Sequence, residues 1–231
     1  MKLVEFKNLS KNFGSKEVLK NINLTIEKGK IYGLLGPNGS GKTTMIKIIN
    51  DLLQPTTGEI LINGCEPGIE SKKIISFLPE RTYLNMNMKV DELIHFFKDF
   101  YEDFDDKKAL HLLHKLKIKE TDQLKNMSKG TKEKVQLVMV MSRKADLYIL
   151  DEPIGGVDPA SRDYILETIL TNFNEGASIL ISTHLISDIE KILDQVIFIN
   201  QGKIVLNENA DTIRKKNKTT IDKLFREEFK C

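Results

Sequence analysis

The stretch Gly36-Pro37-Asn38-Gly39-Ser40-Gly41-Lys42-Thr43, followed by Thr44, constrains this chain more than any other segment. It fits the phosphate-binding pattern G-x-x-x-x-G-K-[ST]. An apolar, strand-like run over residues 31–35 leads into it, and a helical pattern over residues 43–53 leaves it and stops before Pro55. Such a loop needs that strand-loop-helix setting, because its glycines turn successive N–H groups inward while the following helix contributes its positive end. Lys42 then reaches the β- and γ-phosphates, and the Thr43 hydroxyl serves Mg²⁺. A nucleoside triphosphate is the expected ligand, and an α/β core is the expected scaffold.

The rest of the chain divides by its hydrophobic period. Residues 3–9, 22–26, 31–35 and 59–63 read as strands, with Gly14, Gly29, Gly58 and Gly64 at turns. From Val90 to about Arg143 the pattern is helical. Leu93, Phe97, Phe100 and Phe104 recur at helical spacing, Ala109, Leu112, Leu113 and Leu116 continue on a second helix, and residues 135–141 lie on a third. Strand-and-helix alternation resumes over residues 147–150, 165–169, 178–181 and 196–199, the signature of parallel-sheet units. The expected architecture is one domain spanning 1–231. It has an α/β phosphate-loop core with a mixed or parallel sheet and an N-terminal antiparallel β subdomain. A helical subdomain is inserted at about 81–142, and a short helical tail covers about 209–231.

Two strand ends carry the chemistry. Residues 147–150 form a buried-strand pattern that stops at Asp151-Glu152. In open α/β sheets ligands sit at the carboxyl ends of strands, the edge that also holds the phosphate loop. Asp151 suits the Mg²⁺ shell, directly or through water. Glu152 is placed to accept a proton from the water attacking the γ-phosphate, or to orient it. A second strand, residues 177–181, ends in Ser182-Thr183-His184, which brings His184 to the same edge. The turn Asn126-Met127-Ser128-Lys129-Gly130-Thr131 precedes a helix and offers a hydroxyl and free N–H donors, a second anion site.

Taken in order, the phosphate loop, the Ser-x-Gly turn, the apolar-Asp-Glu strand end, Gly156-Val157-Asp158 and Thr183-His184 resemble the ATP-binding cassettes of ABC transporters, from Phe13 to about Ile204. The resemblance implies an ATPase that packs head-to-tail with a second cassette, identical or different, and drives separate integral membrane permease subunits. It further implies that Phe13 stacks on adenine and that Ser128, Lys129 and Gly130 complete the γ-phosphate site of the partner cassette. Asp158 would communicate between the two sites, and His184 would act as a switch near the γ-phosphate. Two positions depart from the family. Its Leu-Ser-Gly-Gly-Gln reads Met127-Ser128-Lys129-Gly130-Thr131, and its magnesium-sensing glutamine is replaced by Glu80. Both departures resemble a bacterial branch of drug, peptide and antibiotic exporters. The family groove for the membrane subunit falls near residues 80–88, with Tyr83, Met86 and Met88 as candidates.

Composition narrows the alternatives. A formal net charge of +2 gives no reason to expect nucleic acid as a partner. No apolar run is long enough to span a bilayer and the N-terminus lacks a signal-like core, so the expected location is cytoplasmic, peripheral on the inner face of the membrane. Cys65 and Cys231 read as reduced thiols, and His111 and His114 as surface or packing residues. The basic run Arg214-Lys215-Lys216-Asn217-Lys218 reads as a solvated helix end, with contact to anionic lipid as the alternative. The rival reading of the whole chain is a soluble cassette acting as an assembly or regulatory factor. A phosphate-loop kinase leaves the Ser-x-Gly turn and His184 unexplained.

Overall fold

The computed structural model describes residues 1–217 and 219–229. Two long strands, β1 (Lys2–Phe13) and β2 (Lys16–Glu27), pair antiparallel, and β4 (Thr57–Ile62) joins the other edge of β1. The larger sheet contains β3 (Ile31–Leu35), β5 (Ile75–Leu78), β6 (Leu147–Asp151), β7 (Ser178–Ser182), β8 (Gln195–Asn200) and β9 (Lys203–Asn209). Its order is β5-β6-β7-β3-β8-β9, parallel throughout except where β9 turns back on β8.

Both faces of the parallel strands are buried, which is why their sequences read as unbroken apolar runs. Leu34, Leu147, Ile149, Leu180 and Ile197 face one core, formed with the antiparallel sheet and helix α1 (Lys42–Ile49). Their neighbours Leu35, Tyr148, Leu150, Ile181 and Phe198 point the other way. That second core is closed by α6 (Pro159–Asn172), α7 (Ile186–Ile189), α8 (Ala210–Asn217) and α9 (Ile221–Phe229). Residues 165–169 therefore belong to the helical half of the alternation. A short helix α2 (Ile69–Ile74) leads into β5.

Between β5 and β6 lie α3 (Val90–Phe100), α4 (Asp106–Lys115) and α5 (Lys129–Met141), with a third apolar core of their own. α5 divides its side chains: Val135, Val138 and Met139 enter that core, while Leu137, Val140 and Met141 enter the core of the parallel sheet. The helical spacing that joins Phe104 to Leu93 and Phe97 does not hold. α3 ends at Phe100 because Tyr101 adopts extended backbone, and Phe104 returns as a bridge partner of Arg143. Phe104 still packs its ring 5.5 Å from that of Phe97, whereas Phe100 is exposed and stacks on Phe96.

Among the described residues no helix is long and apolar enough to cross a membrane. Cys65 is exposed, and Cys231 lies outside the described residues. His111 and His114 are exposed, the latter 3.3 Å from Glu120. Within the basic run, Arg214 pairs with Asp211 and donates to the Glu190 carbonyl, and Lys218 lies outside the described residues.

Candidate nucleotide site

Helix α1 starts one residue earlier than its apolar period predicts, at Lys42, and ends four residues earlier, at Ile49. Asp51, in left-handed backbone at φ 56°, turns the chain away. At the other end Gly41 stands as N-cap at φ 116° with no side chain capping the helix, so the first-turn N–H groups have no side-chain acceptor. A side chain at Gly36 is excluded for another reason: its Cβ would lie 2.3 Å from the Ile199 carbonyl oxygen and 2.6 Å from Ser40 Oγ. Gly202 donates to the Ser40 carbonyl at 2.9 Å and accepts from Lys20 N–H at 2.8 Å. The β8–β9 turn therefore ties the loop to β2.

A cavity of about 930 Å³ opens over this loop. Asn38, Gly39, Gly41, Lys42, Thr43 and Thr44 form its floor, and Glu80, Glu152 and His184 stand on its wall. Lys42 is buried and folds back, donating to the carbonyls of Gly36 at 2.7 Å and Pro37 at 3.3 Å. Burial lowers its pKa, and the nearby carboxylates of Glu152, Asp151 and Glu80 oppose that shift and favour the ammonium.

The parallel pairing of Asp151 with Ser182 aligns the ends of β6 and β7. Glu152 then continues the ladder by donating its N–H to the Ser182 carbonyl at 2.8 Å. Its backbone is left-handed, φ 53°, an uncommon state for a residue with a Cβ and a place where strain is stored. The Gly155 N–H donating to the Glu152 carbonyl at 3.0 Å holds the turn. That turn aims Glu152 Oε2 at His184 Nδ1, 3.0 Å away, joining two residues 32 apart in the chain.

Asp151 is buried behind this wall, and its Oδ1 has no hydrogen-bond partner. Burial raises its pKa, the neighbouring Ser182 and Thr43 hydroxyls lower it, and the charges of Glu152 and Glu80 raise it further. An orphaned carboxylate oxygen near a threonine hydroxyl is a hard-oxygen donor set of the kind Mg²⁺ takes when nucleotide phosphates and water supply the remaining ligands. Among the described residues no group of three or more acidic, histidine or cysteine side chains converges as a cage of its own.

Other sequence candidates fall elsewhere. Phe13 ends β1 half-exposed, with the Lys11 ammonium 5.2 Å from its ring centroid, and it is not among the residues lining the cavity. Ser128 caps α5, accepting from Thr131 N–H at 3.2 Å, and like Gly130 it does not line the cavity of its own chain. Lys129 does. Asp158 caps α6 by accepting from Ser161 N–H at 3.0 Å. Tyr83 and Leu52 are exposed along a neighbouring groove of about 830 Å³ that also reaches Glu80, whereas Met86 and Met88 pack partly into the helical core. Lys16, Glu17, Lys20, Glu133 and Gln201 line the cavity over the loop without any motif to announce them. They reach it through strand pairing and helix placement, which local sequence does not encode.

Three comparisons bear on this arrangement. Residues 19–155, more than half the chain, match the family model described as ABC transporter. The Bacillus subtilis protein named ABC transporter ATP-binding protein YtrB is 32% identical, covering 92% of this chain and 74% of its own. The Streptococcus pyogenes lantibiotic transport ATP-binding protein SrtF is 32% identical, covering 90% and 92%. A solved ATP-binding subunit of an ABC transporter superposes with a TM-score of 0.88 at 28% identity, over 97% of this chain and 98% of that one. A dimeric cassette bound to ADP and Pi in a post-hydrolysis state shares the fold, with a TM-score of 0.78 at 24% identity over 90% and 99%. The phosphate loop, the paired strand ends and these likenesses lead to one assignment: the chain belongs to the ABC transporter family, as an ATP-binding cassette.

Proposed function

We propose that this cassette hydrolyses Mg²⁺-ATP between two paired cassettes to power export through separate membrane subunits. As a member of its family it is an ATP-binding ATPase subunit that works with membrane components. The observation that carries the catalytic part is the contact of Glu152 with His184 at 3.0 Å in the cavity floored by Lys42. Glu152 takes a proton from, or orients, the attacking water, and His184 steadies that carboxylate and the terminal phosphate. Thr43 and Asp151 would hold Mg²⁺, which when bound would supply charge neutralisation for the phosphates, and Glu80 adds a carboxylate where the family carries an amide. Lys42 exchanges its two carbonyl partners for phosphate oxygens. Phe13 supports the adenine, Ser128, Lys129 and Gly130 serve the partner cassette, and Asp158 links the two sites. A second copy or a different cassette fits this scheme equally.

Export is supported by relatives named for it: a lantibiotic transport protein, and the SkfA peptide export ATP-binding protein SkfE of Bacillus subtilis at 33% identity over 89% of this chain. Peptide-like antibiotics are the cargo class this supports, with the cassette peripheral on the cytoplasmic face. The groove beside Tyr83 and Leu52 is the seat for the membrane subunit. The test is affinity purification from detergent-solubilised membranes of the native host. A stoichiometric partner with several membrane spans is expected, and a soluble partner alone would overturn the transport reading.

A further inference from the structure

The side chain of His184 is 56% exposed, so packing does not fix its ring, and the contact with Glu152 is its one hydrogen bond among the described residues. The turn that carries Glu152 runs on through Gly155 and Gly156, the latter in left-handed backbone at φ 74°, where the chain has no Cβ to restrict it. Arg162, in the first turn of α6, joins these two segments a second time. Its Nη1 donates to Asp188 Oδ2 on α7 at 3.0 Å, and its Nε donates to the Val157 carbonyl at 3.2 Å. One guanidinium thus grips both the turn descending from Glu152 and the short helix that follows His184. Its planar fork leaves little freedom once both bonds are made. Helix α6 gives it a fixed base, because Asp158 caps that helix and accepts the Arg162 N–H at 3.1 Å. Between the two joints, Ile154, Ile165 and Ile186 are buried in one core, with Val157 and Leu185 packed against it. The two segments therefore lie side by side, tied at Glu152–His184 at one end and at Arg162–Asp188 at the other.

We propose that Arg162 is a positioning residue for hydrolysis, bracing the Glu152 turn against the helix after His184 and so setting the contact between those two side chains. The inference rests on the reading that Glu152 and His184 serve the chemistry, and extends it to a residue outside the cavity. Arg162 touches neither nucleotide nor water; it acts through His184. Without it, His184 hangs from an exposed loop and the glycines after Glu152 are free to drift, while the phosphate loop that binds the nucleotide is untouched.

The experiment is a double-mutant cycle on the full chain, reading phosphate release at saturating Mg²⁺-ATP and equilibrium binding of a fluorescent ATP analogue. Misplacing a catalytic group by about 1 Å costs about 10²-fold in rate, so Arg162→Gln is expected to lower kcat about ten- to a hundredfold and to change ATP affinity less than about twofold. Asp188→Asn is expected to do the same, and the two together no more than either alone, because residues in one network are not additive. In a His184→Ala background, Arg162→Gln is expected to have no further effect. An Arg162→Gln variant with kcat within twofold of wild type overturns the brace, as does a loss that multiplies with that of His184→Ala. A lowered melting temperature with unchanged turnover per folded molecule assigns Arg162 to stability alone and likewise overturns it. If Arg162→Gln does not fold, Asp188→Asn removes the same tie from the other side and takes its place in the cycle. His184→Ala by itself tests the underlying reading: wild-type turnover there shows that the Glu152–His184 assignment has failed, whatever Arg162 does.

Discussion

Glu152 offers a test in which activity and stability move in opposite directions. Its carboxylate is held against His184, and its backbone sits at φ 53°. Glu152→Gln keeps the size, the backbone hydrogen bonds to Ser182 and Gly155, and a polar contact with His184. It removes only the charge and the ability to take a proton. Loss of a general base costs about 10²–10⁴ in rate, equivalent to about 2.7–5.4 kcal/mol of barrier. Turnover is expected to fall by that factor while ATP binding is spared. Glu152→Gly is expected to be as inactive but more stable. A left-handed conformation costs a residue with a Cβ about 1–2 kcal/mol, and glycine returns about 0.5–1 kcal/mol of that as extra freedom in the unfolded chain. The net gain is about 0.5–1 kcal/mol, or about 1–4 °C in Tm for a chain of this size. The assays are steady-state phosphate release with saturating Mg²⁺-ATP and calorimetric melting without nucleotide. A Gln variant that keeps more than a tenth of wild-type turnover would refute the role in proton transfer. A Gly variant that melts below wild type would refute the claim that strain is stored at this turn.

Two further outcomes concern how the elements are joined and closed. Arg143 is buried where the helical insert meets the sheet, donating to the carbonyls of Ile75 and Lys73 and to Asp103 Oδ1 at 3.0 Å, with its guanidinium over Tyr101. Arg143→Met leaves those acceptors unpaired, and breaking a buried charged network costs about 3–5 kcal/mol. A urea midpoint within error of wild type would disprove that role. Hydrogen bonds donated by Ser161 hold the Asp158 carboxyl below its usual range, so its contribution to α6 is complete above the ordinary carboxylate pKa and disappears as pH falls through the depressed native value. Asp158→Ala is therefore expected to melt below wild type at neutral pH and to converge with it in acid. A gap that does not narrow as the pH is lowered would sink this account.

Local chemistry makes part of this protein legible in its sequence. The run from Gly36 to Thr44 announces its strand, loop and helix, because its glycines, lysine and threonine are required by phosphate at fixed spacing. The parallel strands are visible as apolar runs since both faces are buried, and Asp151-Glu152 and Thr183-His184 stand out because polar residues end those runs abruptly. The period of residues 93–104 misleads at its end, where Tyr101 leaves the helix and Phe104 reaches the same core by a different path.

Tertiary structure decided the rest. That Glu152 and His184 touch follows from β6 lying beside β7 in register, an arrangement with no local signature. The positive φ of Glu152 is likewise a tertiary feature, held between the hydrogen bonds to Ser182 and Gly155 against the preference of glutamate itself. The placing of Lys129 in the cavity depends on how α5 divides its faces between two cores, while Lys16 arrives through its pairing with Phe13 and Lys20 is tied to the loop by the turn at Gly202. Sequence carries the chemistry that a few adjacent atoms must perform. Which distant groups share one cavity is set by pairing and packing, whose free energy is spread over dozens of side chains and is written in none of them alone.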